Sequence, residues 1–172
     1  AYQCGGSYLQ KNEWGLWELY VEGDAFERGV KQGILMQEMI RKQEVAFLNQ
    51  IATMIPSSNY QKFMKYFVSF FNRNLDDYVP PEYQLEIYGI SKYASDEFAF
   101  IGPNFLRILN YHAAHDIGHA LQNMNLVACT AFGAWDAQSA DSSMIIGRNF
   151  DFYVGDEFAE DKIVAFVEPE EG

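Results

Sequence analysis

C-T-A-F-G-A-W begins at Cys129, and I-I-G-R-N-F-D-F runs from Ile145 to Phe152. These motifs lie in two short runs of apolar and aromatic residues, Leu126 to Phe132 and Met144 to Phe150, and each run predicts a β-strand. The polar link between them, D-A-Q-S-A-D-S-S at Asp136 to Ser143, is short enough for an antiparallel hairpin. This hairpin marks the point where the chain changes from helical to β-rich character.

The chain before the hairpin opens with a strand and a long helix. L-W-E-L-Y-V-E, Leu16 to Glu22, predicts a strand that Gly23 ends. Asp24 follows as a helix N-cap, and Glu27 completes a capping-box pattern. Apolar residues then recur at helical spacing as far as Ile51. The sequence therefore predicts a helix that starts at Ala25.

Two glycines interrupt this first helix, and three more helices are predicted after it. Gly29 and Gly33 lie four residues apart on one face, which predicts the close approach of another backbone. Pro81 and Pro103 are suited to the first turns of later helices. The three predicted helices are Phe63 to Phe71, Glu82 to Ala94, and a last one from Pro103 through Leu121.

These elements predict an α+β protein with two parts. Residues 1–128 form a mostly helical segment, and residues 129–172 begin a β-rich unit that includes a third strand, Ile163 to Val167. No partner region follows that strand, and three short strands cannot bury both faces of a sheet. We therefore expect the chain to be a piece of a larger protein.

Composition excludes several classes of function. The 172 residues carry a net charge of −12, so the chain lacks the cationic face that nucleic acids and anionic membranes require. No apolar run approaches the roughly 20 residues of a membrane-spanning helix. With only two cysteines the chain is not a disulfide scaffold. A start at Ala1 rather than Met favours a removed leader and export.

Two features compete weakly with the hairpin as functional sites. His115 and His119 are spaced to share one helical face and could bind zinc, but the Glu that follows the first His in zinc proteases is replaced by Asp116. The alternative is a pair of hydrogen-bonded rings under a neighbouring sheet. Cys4, among small residues near the terminus, is expected to be exposed and flexible. We expect no metal and no cofactor.

The hairpin places three chemically useful residues near one another. Pairing of its strands would bring Arg148 and Asp151 close to Cys129. A cation beside a thiol stabilises the thiolate, and a carboxylate can hold an amino group. These are the groups that a cysteine needs when its own α-amino group serves as the base. A buried core cysteine is the alternative interpretation.

Cys-Thr followed about twenty residues later by Gly-Arg-Asn-x-Asp resembles the N-terminal nucleophile hydrolases that cleave linear amides. These families include choloylglycine hydrolases, acid ceramidase, N-acylethanolamine acid amidase and penicillin acyltransferase. The resemblance is strongest over residues 129–152 and extends weakly to H-D-I-G-H and to V-E-G-D-A-F-E-R-G-V-K-Q-G. A helical pro-segment of about this size before the cysteine is similar to the acid ceramidase and penicillin acyltransferase groups.

This resemblance implies an activity and a set of site residues. Cys129 would be the nucleophile and, after cleavage of the Ala128–Cys129 bond, also the base, while Arg148 and Asp151 would match the family's active-site pair. The implied fold is a four-layer α-β-β-α sandwich that the remainder of the catalytic domain completes. The implied reaction is hydrolysis of a small N-acyl amide through an acyl-thioester.

Alternatives to this reading are acyl transfer to an amine and a non-catalytic helical binding module. A regular strand would direct Arg148 and Asp151 to opposite faces. The strand is therefore expected to end or twist between Asn149 and Asp151.

Overall fold

The computed structural model describes residues 1–54, 56–59, 62, 72–114, 127–152 and 156–170. It is a mixed α+β structure with two compact units, one formed by residues 1–112 with 155–172 and the other by residues 113–154. The second unit contains the predicted hairpin.

The first unit is built on a four-stranded sheet. In order across the sheet, its strands are β1 (Tyr2–Cys4), β2 (Ser7–Lys11), β3 (Trp17–Gly23) and β6 (Ile163–Pro169). β1 and β2 form an N-terminal hairpin, and β3 pairs with β2 in antiparallel orientation. β6 lies parallel to β3, with Trp17 opposite Ile163 and Gly23 opposite Pro169.

The long helix α1 (Ala25–Met54) covers one face of this sheet. Leu9, Leu19 and Val21 alternate with polar neighbours along β2 and β3, and they are buried against Leu35 of the helix. The strand ends at Gly23, whose φ of +112° suits glycine. Asp24 Oδ1 then accepts a hydrogen bond of 2.8 Å from the Glu27 N–H. The predicted N-cap is confirmed.

Two shorter helices pack beside α1, namely α2 (Pro81–Ser91) and α3 (Asn104–His112). Pro81 occupies the first turn of α2, as its fixed φ favours. A buried apolar group joins the two helices. Its members are Ile87, Ile90, Ala94, Ile108 and Leu109.

Glycines determine how closely α1 and α2 approach. A Cβ at Gly29 would stand 2.0 Å from the Glu86 carbonyl oxygen, and a Cβ at Gly89 would stand 2.6 Å from the Phe26 carbonyl oxygen. A Cβ at Gly33 would stand 3.1 Å from the Ile90 carbonyl oxygen. The predicted close backbone approach is therefore confirmed, and the missing Cβ atoms are what allow it.

Buried ion pairs hold α1 to the other two helices. Arg28 donates to Glu82 at 2.6 Å and to Glu86 at 3.2 Å, and its side chain is almost fully buried. Arg107 of α3 pairs with Glu44 of α1, and each side chain is only 1% exposed. Burial is the main cause that raises the pKa of Glu44, and the bond from Arg107 opposes that rise.

Two expectations about the strands are wrong. The three C-terminal strands do not form one β-rich unit, because β6 pairs with β3 near the start of the chain. Cys4 is not an exposed flexible residue, because it lies in β1, is half-buried and packs against the Leu9 and Leu19 core. Both errors follow from long-range pairing, which local patterns do not contain.

Several predictions lie outside the described residues. These are the whole helix over 63–71, the end of the helix that was expected to reach Leu121, and the His115 and His119 pair. The observed α3 begins one residue after Pro103. Across the described ranges, no helix combines the length and apolar character needed to span a membrane.

Candidate functional site

The candidate site lies on a hairpin of β4 (Val127–Asp136) and β5 (Ser142–Phe152). The strands are antiparallel, with Cys129 opposite Phe150, and their one register irregularity falls between Ala134 and Asp136. The predicted hairpin is therefore confirmed, and each strand extends beyond its predicted length. It carries the Cys-Thr and Gly-Arg-Asn-x-Asp motifs on neighbouring strands.

The turn of the hairpin is organised around Asp141. Its Oδ1 accepts hydrogen bonds of 3.1 Å from the Ser139 hydroxyl and from the Ser143 N–H. A further bond comes from the Ser143 hydroxyl, and together these donors lower the pKa of Asp141. The chain reverses with positive φ at Asp136 (50°) and Ser142 (64°). Asp and Ser residues commonly stabilise polar turns through such local hydrogen bonds between side chains and backbone.

Arg148 and Cys129 lie next to each other on one face of the hairpin. Arg148 is opposite Ala131, two positions along the strand from Cys129, so the two residues are diagonal neighbours. Arg148 Nη2 lies 3.7 Å from Cys129 Sγ, within hydrogen-bond range of a sulfur acceptor. The predicted proximity of these two residues is confirmed. Their catalytic roles stay predictions.

Of the two predicted alternatives, an end or a twist of the strand between Asn149 and Asp151, the end is wrong and the twist stays a prediction. β5 continues to Phe152, and Asp151 stands opposite Ala128 in an unbroken register. The physical reason is that β4 starts at Val127, so backbone partners remain for both Asp151 and Phe152. Asp151 thus occupies a register position next to the row that Cys129 and Arg148 share, and its role as a site residue stays a prediction.

Small residues follow Cys129 along its face of the hairpin. Ala131 and Gly133 follow it on the same face, and the ring of Trp135 lies within 3.7 Å of where a Cβ on Gly133 would be. On the other face, the Phe132 ring covers Gly147 so closely that a Cβ there would come within 2.3 Å. Among the hairpin residues whose burial is described, the exposed large apolar side chains are Phe132, Trp135, Met144, Ile145 and Ile146.

Trp135 is a motif residue for which the sequence predicted no function. It is the last residue of the C-T-A-F-G-A-W motif, and its ring lies on the face that carries the thiol. The alternation of strand side chains alone would have placed it there, because Cys129 and Trp135 are separated by an even number of positions. The register shift falls between Ala134 and Asp136, so Trp135 itself stands at the irregularity.

The arrangement at Cys129 suits nucleophilic chemistry. The cysteine is free and exposed, which contradicts the alternative of a buried core residue. The Arg148 guanidinium lies where it can interact with negative charge that develops on the sulfur during a reaction. In the intact chain the nitrogen of Cys129 is a peptide amide within β4, so it cannot serve as a base.

Cys4 and His112 are two further residues that could react or bind a metal, and their described contacts are those of structural residues. Cys4 belongs to the sheet core, and His112 Nδ1 lies 2.9 Å from the Ile108 carbonyl oxygen within α3. Within the part of the chain that the structure describes, no group of three or more His, Cys, Asp or Glu residues is arranged to hold a metal ion. That part does not include His115 and His119.

Comparisons with protein-family models, with curated proteins and with solved structures give no match for this chain. Only the residues of the hairpin and their motif resemblance therefore point to a function.

Proposed function

We propose that this chain belongs to a self-processing cysteine amidohydrolase of the N-terminal nucleophile type, with Cys129 as its nucleophile. The substrate would be a linear N-acyl amide, and the hairpin would supply opening strands of an α-β-β-α sandwich. The observation that carries the proposal is the 3.7 Å contact between Arg148 Nη2 and the exposed Cys129 Sγ. That contact lies within the Cys-Thr and Gly-Arg-Asn-x-Asp pattern.

Maturation is the first step of the proposed mechanism. Cys129 Sγ attacks the carbonyl carbon of Ala128, and the carbon–nitrogen bond breaks as the nitrogen takes up the thiol proton. The result is a thioester on sulfur and a free α-amino group on Cys129. Water then hydrolyses the thioester, which leaves a carboxylate on Ala128 and restores the thiol. The blocked amide nitrogen becomes a base without any added residue.

Turnover uses the freed amino group. It accepts the proton from Sγ, and the thiolate attacks the carbonyl carbon of the substrate amide. The amino group returns that proton to the departing amine, and an acyl-thioester remains until water cleaves it. Arg148 would act through its positive charge beside the sulfur, where charge develops and is lost during the cycle. Asp151 would hold the α-amino group, by the motif resemblance.

Processing at one bond tests the proposal. The full-length precursor, which includes the remainder of the catalytic domain, is expected to yield a fragment that begins at Cys129, seen by intact mass and by N-terminal sequencing of the smaller band. Cys129→Ala should remain whole, and Cys129→Ser should be cleaved more slowly because a hydroxyl is a weaker nucleophile. Cleavage of Cys129→Ala at the same bond would show that the cysteine does not perform the reaction.

The chemical outcome of turnover is tested with product analysis. N-acyl amides are incubated with the processed protein, with and without an added amine. Free acid as the product in both cases supports hydrolysis. A new amide that appears only with the added amine would instead identify an acyltransferase.

A further inference from the structure

The outer face of the four-stranded sheet carries a row of aromatic side chains. Leu19 and Val21 are buried under α1, so Tyr20 between them lies on the opposite face. Tyr20 stands opposite Tyr8 on β2 and opposite Phe166 on β6. The Tyr8 and Tyr20 rings are stacked, with centroids 5.5 Å apart and planes inclined by 21°. Phe166 at the end of the row is 52% exposed.

Carboxylates flank this aromatic row on both sides. Glu18 lies two residues before Tyr20 on β3, and Glu22 lies two residues after it, opposite Glu168 on β6. Because strand residues two apart are separated by about 7 Å, each carboxylate lies within reach of a group that covers the rings. The aromatic row is Tyr8, Tyr20 and Phe166, and its acidic flanks are Glu18, Glu22 and Glu168.

Glu22 and Glu168 are like charges directly opposite each other on neighbouring strands, which is destabilising. The Tyr20 hydroxyl bonds to Glu22 Oε2 at 3.1 Å and also to Glu168, but it has one proton to donate. The two carboxylates, Glu168 first, raise the pKa of Tyr20 and keep that proton in place. One neutral hydroxyl does not offset two negative charges.

None of the salt bridges among the described residues involves these three glutamates. The described ion pairs use Arg28, Arg41, Lys42 and Arg107, whose partners lie elsewhere. Glu18 instead accepts bonds from the neutral amides of Gln10 and Asn12. Among the described residues, the aromatic row is therefore bordered by carboxylates that form no salt bridge; Lys31 Nζ donates to the backbone carbonyl oxygen of Glu22 at 2.9 Å and not to its carboxylate.

We propose that this face is a docking surface for a polypeptide segment that presents arginine side chains. A guanidinium is planar, so it can stack on an aromatic ring and bond to a carboxylate at the same time. Stacked over Tyr20 and Phe166, it would relieve the repulsion between Glu22 and Glu168. Apolar side chains of the same segment would cover Phe166 and its neighbour Val164, which is also exposed. The net charge of −12 favours such a partner at long range.

Calorimetric titration with a synthetic peptide that alternates arginine and valine tests the proposal. The arginine peptide is expected to bind, and ring resonances of Tyr8, Tyr20 and Phe166 should shift on binding in nuclear magnetic resonance spectra. A peptide with citrulline in place of arginine keeps the shape but loses the charge, and it should bind at least tenfold more weakly. Equal binding of the two peptides would overturn the proposal.

Matched variants separate this face from general attraction between opposite charges. Glu168→Gln removes one carboxylate of the face, whereas Glu157→Gln removes an exposed carboxylate from the single turn at Asp156–Ala159. Glu168→Gln should weaken binding of the arginine peptide, and Phe166→Leu should weaken it by about fivefold, the size of an exposed cation–π contact. If Glu157→Gln weakens binding as much as Glu168→Gln, the attraction is not specific to this face and the proposal fails. A dimer that buries Phe166 in the protein alone would also overturn it.

Discussion

Arg107 lies beside the Glu44 carboxylate inside the helical core, whereas Arg148 lies beside the Cys129 thiol on the exposed hairpin. Arg107 is fully buried, and besides Glu44 it donates to the carbonyl oxygens of Gly102 at 3.2 Å and Ser95 at 2.7 Å. Arg148 is exposed and lies 3.7 Å from the Cys129 sulfur. The same type of residue therefore fixes two helices in one place and lies beside an exposed cysteine sulfur in the other.

The difference shows what burial decides. A buried charge must be paired, because the desolvation of an ion is costly, so the loss of its partner destabilises the fold. An exposed charge is solvated by water, so its loss costs the fold little and its effect is confined to the atom it touches. Tyr111 shows the same influence of burial, since its pKa is raised first by burial and then by the charge of Glu44.

Arg107→Ala is expected to have the largest effect on stability. It leaves the Glu44 carboxylate buried without its cation, which should lower the free energy of unfolding by about 3–5 kcal/mol. Urea unfolding followed by circular dichroism measures the change. The double variant Glu44→Met with Arg107→Met should recover most of the loss, since apolar groups of similar volume can replace a buried pair. A double variant as unstable as Arg107→Ala would contradict the argument.

Gly29→Ala should have the next largest effect. The new Cβ would lie 2.0 Å from the Glu86 carbonyl oxygen, so α1 and α2 must move apart, at a cost of about 1–3 kcal/mol. Gly102→Ala is the matched control, because a Cβ there meets nothing within 4 Å. Thermal unfolding of the two variants gives the comparison. Equal melting temperatures would show that the helices are not held at this distance by packing.

Lys42→Met should have a smaller effect that depends on pH. Lys42 donates to Asp161 at 2.8 Å, Trp17 Nε1 donates to the same carboxylate at 3.0 Å, and these bonds lower the pKa of Asp161. A lowered pKa in the folded state means that the contribution to stability is present at neutral pH and is lost as the pH falls through the folded pKa. The difference between wild type and variant, measured by urea unfolding, should therefore shrink below about pH 4. A difference that grows on acidification would contradict this assignment.

Arg148→Ala should have the smallest effect on the fold and a clear effect on the thiol. The free energy of unfolding is expected to change by no more than about 0.5 kcal/mol, because the side chain is exposed. The rate of Cys129 alkylation by iodoacetamide at neutral pH should fall, since the sulfur loses the cation that lies 3.7 Å from it. Arg148→Lys retains the charge and should recover part of the rate. An unchanged rate in Arg148→Ala would separate the arginine from the reactivity of the cysteine.

Local patterns predicted the elements that local energetics specify. The N-cap at Asp24 could be read in advance because a side chain three residues from its target closes the bond. Gly29 and Gly33 predicted a close helix contact. Glycine destabilises a helix, so its presence indicates that another segment packs against the position where a side chain would be. The Cys129–Arg148 pair followed from two apolar runs and a polar link, since a short turn leaves few ways to pair two strands.

Long-range geometry could not be read in the same way. The parallel pairing of β3 with β6 joins residues almost 150 positions apart, and no local pattern encodes that choice. The Glu44–Arg107 pair was missed because each residue alone is typical of a solvated helix surface, and only the packing of α3 on α1 buries them. The continuation of β5 through Asp151 depended on where the partner strand begins.

The sequence by itself therefore determined the residue types at the candidate site, the long first helix and the hairpin, because these depend on neighbours along the chain. Only the tertiary structure decided which strands share a sheet, which charges lose their water, and that the aromatic row on the sheet is bordered by carboxylates. Those properties depend on distances between segments that the chain connects only through its fold. Burial makes these distances matter for stability. An unpaired charge is costly only where water cannot solvate it, and an added methyl group is costly only where the packing leaves no room for it.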